Sequence, residues 1–363
     1  MAVQVQLMFQ VMMLLLWLFN FPSVIVEAQP IAKAGCHDQH CGRVKIPYPF
    51  GMDSSCYLEK SYKIDCNSGR PTIHVNGTNL EVTEISVGVA RNTIRVNLPI
   101  IFENCNSRRK SNDEVVVDFV VHLGGSPFAF SGTENSFVAV GCNNLALLAK
   151  NETIYAGGCL SICDGNGKVA STAKSSCNGV NCCQTTIPSN LKFFGTSFIP
   201  FSPEMVDDKG DKGNTCKYAY LVEQNWLLDR LYHNSLGKPY YSVTDRKTVP
   251  AVLNWSIDSR LRSRLPVIND SRYKLSSCND TPLTLSDDTN QTITQCFCLH
   301  GFRGNPYVSY GCDDVNECEE HTHDCYRKAL ECKNTYGSYE CVMPEHNKSR
   351  GKMVVSGTWI CAL

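Results

Sequence analysis

Twenty-one of the chain's 363 residues are cysteine. Reducing compartments seldom hold so many thiols, so the chain is read as one that folds in an oxidising space under disulfide control. Sixteen cysteines lie between Cys36 and Cys312. Four more, Cys318, Cys325, Cys332 and Cys341, form a compact group, and Cys361 stands two residues from the end. An odd number leaves at least one without a partner in the chain. Ten bridges and a free Cys361 are expected, the last either bridging to another molecule or left over at an unusual C-terminus. The adjacent Cys182 and Cys183 should bond different partners, because a ring closed between neighbours is strained. In a reducing compartment the group from Cys159 to Cys183 would suggest zinc; here disulfides are the preferred reading.

The N-terminus agrees with that compartment. Val11 to Phe19 reads VMMLLLWLF, followed by Asn20, Pro22 and short residues up to Ala28. This is read as a secretory signal over residues 1–28, the alternative being an uncleaved signal-anchor helix. No second apolar run reaches the roughly 20 residues of a membrane span, so the product is expected to be secreted or lumenal with no transmembrane segment. Seven N-x-S/T sequons, at Asn76, Asn151, Asn254, Asn269, Asn279, Asn290 and Asn347, are candidate glycosylation sites. A formal net charge of −1 gives no general attraction to nucleic acid, and 43% hydrophobic residues exclude wholesale disorder.

The expected fold class is mainly β, disulfide-rich and multi-domain, with small C-terminal units. Ile73–Val75, Leu80–Val89, Thr93–Ile101, Val115–Leu123, Ser136–Val140 and Val249–Ile257 are β-branched runs between turn signals. Lys217–Leu228 suits either helix or strand. Boundaries are placed at 33–150, 151–277, 278–312 and 314–343, with an atypical tail over 344–363. From residue 276 onward aliphatics thin out and cysteines crowd together, the composition of modules that use bridges in place of a core.

The clearest chemistry begins at Asp314. The sequence DVNEC (314–318) is followed by Asn334 in NTYGSYEC. Asp314 and Glu317 supply carboxylates and Asn334 an amide oxygen, the hard donors that Ca2+ takes in sets of about six to eight. The pattern closely resembles the calcium-binding EGF-like module. That resemblance implies carbonyl ligands from Val315, Thr335 and Ser338, and bridges Cys318–Cys332 and Cys325–Cys341. The module departs from the family at Met343, where a fifth cysteine is expected, so its third bridge is missing. Upstream, CFCLHGFRGNPY…GC resembles the second half of another EGF-like unit, implying Cys298–Cys312 and Cys278–Cys296.

Taken in order, CGRVKIPYPFG and CYLEKSYKIDC, NCCQTTIP, YAYLVEQNW with VPAVLNWSI, and the EGF-like junction resemble the extracellular region of plant wall-associated receptor kinases over about residues 33–342. The resemblance implies a galacturonan-binding domain, a wall-associated middle region, and pectic polysaccharide (homogalacturonan) as partner at the cell-wall face. Relatives continue into a membrane helix and a serine/threonine kinase; the Gly-rich loop and the H-R-D and D-F-G elements of a kinase do not occur here. A truncated receptor, a splice form and a kinase-less relative are the alternatives. Pectate is a polyanion, and Gln29 to Lys110 carries eleven Lys/Arg against seven Asp/Glu. Candidate contacts are Arg43, Lys45, Arg91, Arg95, Arg108, Arg109 and Lys110, with Tyr48, Phe50 and Tyr57 as stacking rings. A calcium-stiffened module that binds wall proteins, or a soluble decoy, is the alternative. A hydrolase is disfavoured because neither G-x-S-x-G nor H-E-x-x-H occurs, and His37 and His40 are expected as turn residues between bridges. No catalytic residue is assigned.

Overall fold

The computed structural model describes residues 32–344, apart from 34, 37–38, 89–91, 104, 106–119, 152, 163–176, 201–215, 233–238, 267–274, 286–289 and 329. The signal segment, nearly all of the tail, Cys163 and Cys361 lie outside them.

The chain is mostly strand, and the strands follow period-2 burial. Thr93–Pro99 alternates between buried and half-buried residues, and Arg70–Val75 buries Pro71, Ile73 and Val75. One face of each meets the core while the other meets solvent. These strands belong to a six-stranded antiparallel sheet ordered Ile64–Asn67, Arg70–Val75, Thr78–Ser86, Thr93–Pro99, Thr248–Trp255 and Phe128–Phe130. A second sheet of four strands places Asn135–Val140 between Cys182–Thr186 and Lys217–Glu223, with Ile101–Glu103 at its edge. All six residues of Asn135–Val140 are buried, as a strand covered on both faces requires.

Lys217–Leu228 is both things it could have been. Lys217–Glu223 is strand, and Gln224–Tyr232 turns into helix. Of Val115–Leu123, the described part forms only the short strand Val121–His122.

The boundary expected at 150/151 is not a break in the sheets. Thr248–Trp255 inserts between two strands of the first 150 residues, and Cys182–Thr186 and Lys217–Glu223 flank a third. The 278–312 unit is likewise tied in. Its long hairpin, Ser276–Thr284 with Asn290–Cys298, also pairs with Ile257–Asp258. Tyr307 is buried beside Trp255, their rings 5.5 Å apart, and Trp255 packs on Phe50 at 5.4 Å. Hydrogen bonds seal this junction: Asn92 Nδ2 donates to Tyr307 Oη at 2.6 Å, and Asn305 Nδ2 to the Tyr48 carbonyl at 2.7 Å.

Nine disulfides are described. Cys36–Cys56, Cys41–Cys66, Cys105–Cys216, Cys159–Cys183 and Cys177–Cys182 brace the main body. Cys278–Cys296, Cys298–Cys312, Cys318–Cys332 and Cys325–Cys341 brace the C-terminal part. Cys182 and Cys183 bond different partners, and Cys142 is disulfide-bonded as well. No helix among the described residues is long and apolar enough to cross a membrane.

Candidate functional sites

The oxygen cluster of the terminal module is assembled by two short hairpins. Asp314 closes the strand Cys312–Asp314, opposite Phe302. Asn334 lies on Glu331–Thr335, which returns through Tyr336-Gly337 into Ser338–Val342. Gly337 has φ of +79°, a backbone that glycine adopts freely. Asp314 Oδ2 accepts a 2.8 Å hydrogen bond from Asn334 Nδ2, and Asp314 Oδ1 accepts from the Gly337 amide. These contacts turn the Asn334 amide so that Oδ1 faces inward. Asn334 Oδ1 and Glu317 Oε2 are both buried without a hydrogen-bond partner. Two such acceptors are costly unless something positive meets them. Carboxylate and amide oxygens are the donors of a hard cation, so the residues present fit Ca2+. The Val315 N–H donates a hydrogen bond to the Gly301 carbonyl (2.9 Å), and the Thr335 hydroxyl donates to the Ser338 carbonyl (2.9 Å). Nearby His323 and Asp324 approach the sulfurs of Cys325, Cys332 and Cys341. Those sulfurs are in disulfides, and only a thiolate is a good metal ligand.

The candidate sugar contacts separate sharply. Arg43 and Lys45 are exposed on the hairpin Gln39–Cys41/Val44–Ile46, which Cys41–Cys66 pins to the main sheet. The tight turn at Gly42 needs glycine, because φ is +60° and a Cβ would meet the Gly69 carbonyl. Arg95 is not a free cation. Its Nε sits 2.6 Å from Glu223 Oε2, so a strand of the main body already supplies its carboxylate. Tyr48 and Phe50 are not stacking surfaces. Each is 1% exposed, Phe50 is wedged between Tyr62 and Trp255, and burial pushes the Tyr48 phenol up to about 12. Tyr57 is half-buried against the same core. Cysteine-flanked aromatics in a small β domain serve the core first, because large rings are its main apolar material. Arg91, Arg108, Arg109 and Lys110 lie outside the described residues, as does His37; His40 is exposed.

Among the sequons, Asn279 and Asn290 are exposed and Asn151 is half-exposed. Asn76 Nδ2 donates to the His122 and Gly124 carbonyls, so the nitrogen a glycan needs is engaged. Asn254 is not an open surface site. It sits within Thr248–Trp255 between Thr93 and Ala129, with Oδ1 buried and unpartnered. Asn269 and Asn347 lie outside the described residues. Lys192, which lines both described cavities, and Arg264, which lines the larger, carried no motif. Nothing local in the sequence marks them, since they lie far apart along the chain.

Residues 36–98 match the family described as wall-associated receptor kinase galacturonan-binding, and residues 314–352 match the calcium-binding EGF domain. The first match covers only the front of the expected 33–150 domain; the second runs past residue 343. The chain is 31% identical to wall-associated receptor kinase 2 of Arabidopsis thaliana over 88% of its own length and 39% of that protein's. It is 30% identical to wall-associated receptor kinase 5 of the same plant, with the same coverage of both chains. Wall-associated receptor kinase-like 6 is 29% identical, over 88% of this chain and 50% of its own length. The chain thus spans between about two-fifths and one-half of these relatives. No solved structure matches it.

Proposed function

We propose that this chain, built as a wall-associated receptor ectodomain with a calcium-type EGF module, binds the de-esterified homogalacturonan of pectin at the cell-wall face and holds Ca2+ through Asp314, Glu317 and Asn334. The galacturonan-binding match over residues 36–98 carries the polysaccharide reading. Arg43 and Lys45, exposed on a hairpin fixed by a disulfide, support it as contacts for sugar carboxylates. Arginine suits that partner because its planar fork can bond a carboxylate bidentately. The terminal module is the opposite in charge, with nine acidic residues against three basic from Asp313 to Glu345, so polyanion and cation are assigned to different parts of the chain.

For the cation, the two orphaned oxygens Glu317 Oε2 and Asn334 Oδ1 are the support. Bound Ca2+ would supply the positive charge they lack, and Val315, Thr335 and Ser338 would add carbonyls. Asp314 holds the Asn334 amide in place by its own hydrogen bond.

Binding of the mature chain to pectins of graded methyl esterification, at low and high salt, tests the polysaccharide reading. De-esterified pectin should bind tighter, and binding should weaken as salt screens the charges. Equal affinity for both pectins with no salt effect would overturn the charge mechanism.

A further inference from the structure

The strands Tyr155–Ser161, Asn144–Ala149 and Thr196–Pro200 form a separate three-stranded antiparallel sheet, with Asn144–Ala149 in the centre. One face meets the core. Ala146 and Leu148 are buried there, and Cys159 and Phe198, both opposite Ala146, pack against the same cluster. The other face is apolar as well. Leu160, Leu145 and Ile199 pair in one row across the three strands, and Leu147 lies two residues beyond Leu145. Side chains alternate between the faces of a strand, so these point away from the core. Gly158 stands opposite Leu147, where a Cβ would crowd the leucine side chain, so glycine leaves room for it. Tyr155 reaches the same face, its hydroxyl donating to Ser197 Oγ at 3.2 Å. Past Leu160, Ile162 bridges to Val180.

Leu160, Val180, Ile199, Ile162 and Tyr155 are each between 36% and 48% exposed. With the half-buried Leu145 and Leu147, they present on the order of 500 Å² of apolar surface, the upper end of what a monomer shows. None of the three strands carries a charged side chain. The edge strand Ser276–Thr284 shows the contrast, since it holds Asp280, Pro282 and the sequon at Asn279. Charge and proline on an edge are the usual defences against pairing with another chain. The edge strand Tyr155–Ser161 has neither.

A charged partner finds no opposite charge on this face, and a carbohydrate finds few polar groups beyond the Tyr155 and Ser197 hydroxyls. In a two-fold contact the same patch meets itself, so a charged face repels its copy and a neutral apolar one does not. The size also suits a dimer. About 500 Å² of apolar centre fits within the roughly 800 Å² that each partner of a standard interface buries, the remainder being a polar rim. We propose that this face is the contact between two copies of the chain, with the two sheets stacked about a two-fold axis and Leu145 and Leu147 of the central strand at the middle. The proposal does not rest on the polysaccharide reading, because Arg43 and Lys45 belong to a different hairpin.

Sedimentation velocity of the glycosylated mature chain, from sub-micromolar to high micromolar concentration, tests the proposal. A reversible dimer should form, and an apolar contact should not weaken as salt rises. Ile199→Glu should weaken dimerisation at least tenfold. Ile199 is exposed, so the melting temperature of the monomer should hold; Leu160→Lys serves if it does not. Arg43→Glu should leave dimerisation within twofold. Cys361→Ser removes the odd cysteine, and the dimer should survive it. Hydrogen exchange gives a local readout. Protection of Tyr155–Ser161 and Thr196–Pro200 should rise with concentration, while that of Thr248–Trp255 stays constant. A chain that is monomeric throughout, a dimer that Ile199→Glu leaves intact, or a dimer that Cys361→Ser abolishes would overturn the proposal.

Discussion

The unit at 278–312 and the module at 314–343 begin from the same material: closely spaced cysteines, antiparallel hairpins and few aliphatics. Each is braced by two described disulfides. The first nevertheless sends Tyr307 and Val308 into the main core, where both are buried. The second buries a single described side chain, Cys325, and leaves Tyr326 and Tyr336 each 64% exposed. One unit is stabilised by apolar burial shared with a large domain. The other has only cross-links and two buried oxygens, Glu317 Oε2 and Asn334 Oδ1, without a hydrogen-bond partner. Closely related cysteine patterns therefore do not imply equal independence, and the difference turns on one aromatic residue and the pocket that receives it.

The strongest way to break this comparison is to remove that residue. Tyr307→Ala should destabilise the main body by about 3–5 kcal/mol, the cost of deleting a large buried aromatic. Urea unfolding followed by tryptophan fluorescence would measure it, since Trp255 packs on Tyr307. Tyr307→Phe should cost about 1–3 kcal/mol, because Asn92 Nδ2 and the Cys296 amide lose their shared buried acceptor. If Tyr307→Ala unfolds like wild type, the first unit is as independent as the second.

A smaller, local effect is expected in the terminal module. Opening Cys325–Cys341, which closes a loop of sequence separation 16, should cost about 3 kcal/mol. The cost should be confined to that module. Hydrogen exchange should rise across Glu331–Thr335 and Ser338–Val342 and stay unchanged across Thr248–Trp255. Chelating calcium should move the same amides in the same direction, and Glu317→Gln should abolish most of that response. A chelator effect spread through the main sheets, or none at all, would remove the distinction between the two units.

How far the sequence carries a reader differs in the same way. The terminal module was legible because its chemistry is local: Asp314, Glu317 and the cysteines lie within a few residues of one another, and Asn334 returns on a single hairpin. The mainly β class was legible from β-branched runs. Partners were not. Nothing near Arg95 announces Glu223, which lies 128 residues away, and nothing near Tyr48 shows that its ring is buried in the core instead of facing solvent. The pairing of strands across residue 150 was not legible for the same reason, since sheet order depends on long-range pairing that composition does not encode.

The smallest expected effect concerns the joint between the two units. Arg303 and Glu320 form a bidentate pair across it, at 2.8 and 2.9 Å, with both side chains substantially exposed. Solvent screens such a pair, so a double-mutant cycle with Arg303→Gln and Glu320→Gln should give about 0.2–1 kcal/mol, falling with added salt. The backbone should matter more than the charges. Gly301 has φ of +79° and lies so close to Gly337 that a Cβ there would collide with its carbonyl, and the Phe302 and Tyr336 rings meet edge-on at 5.0 Å. A coupling well above 1 kcal/mol would mean that the pair is shielded and that the joint, not calcium, governs how the terminal module is held. A coupling at the low end, unchanged by added Ca2+, leaves the two units joined by backbone fit and stabilised by separate means.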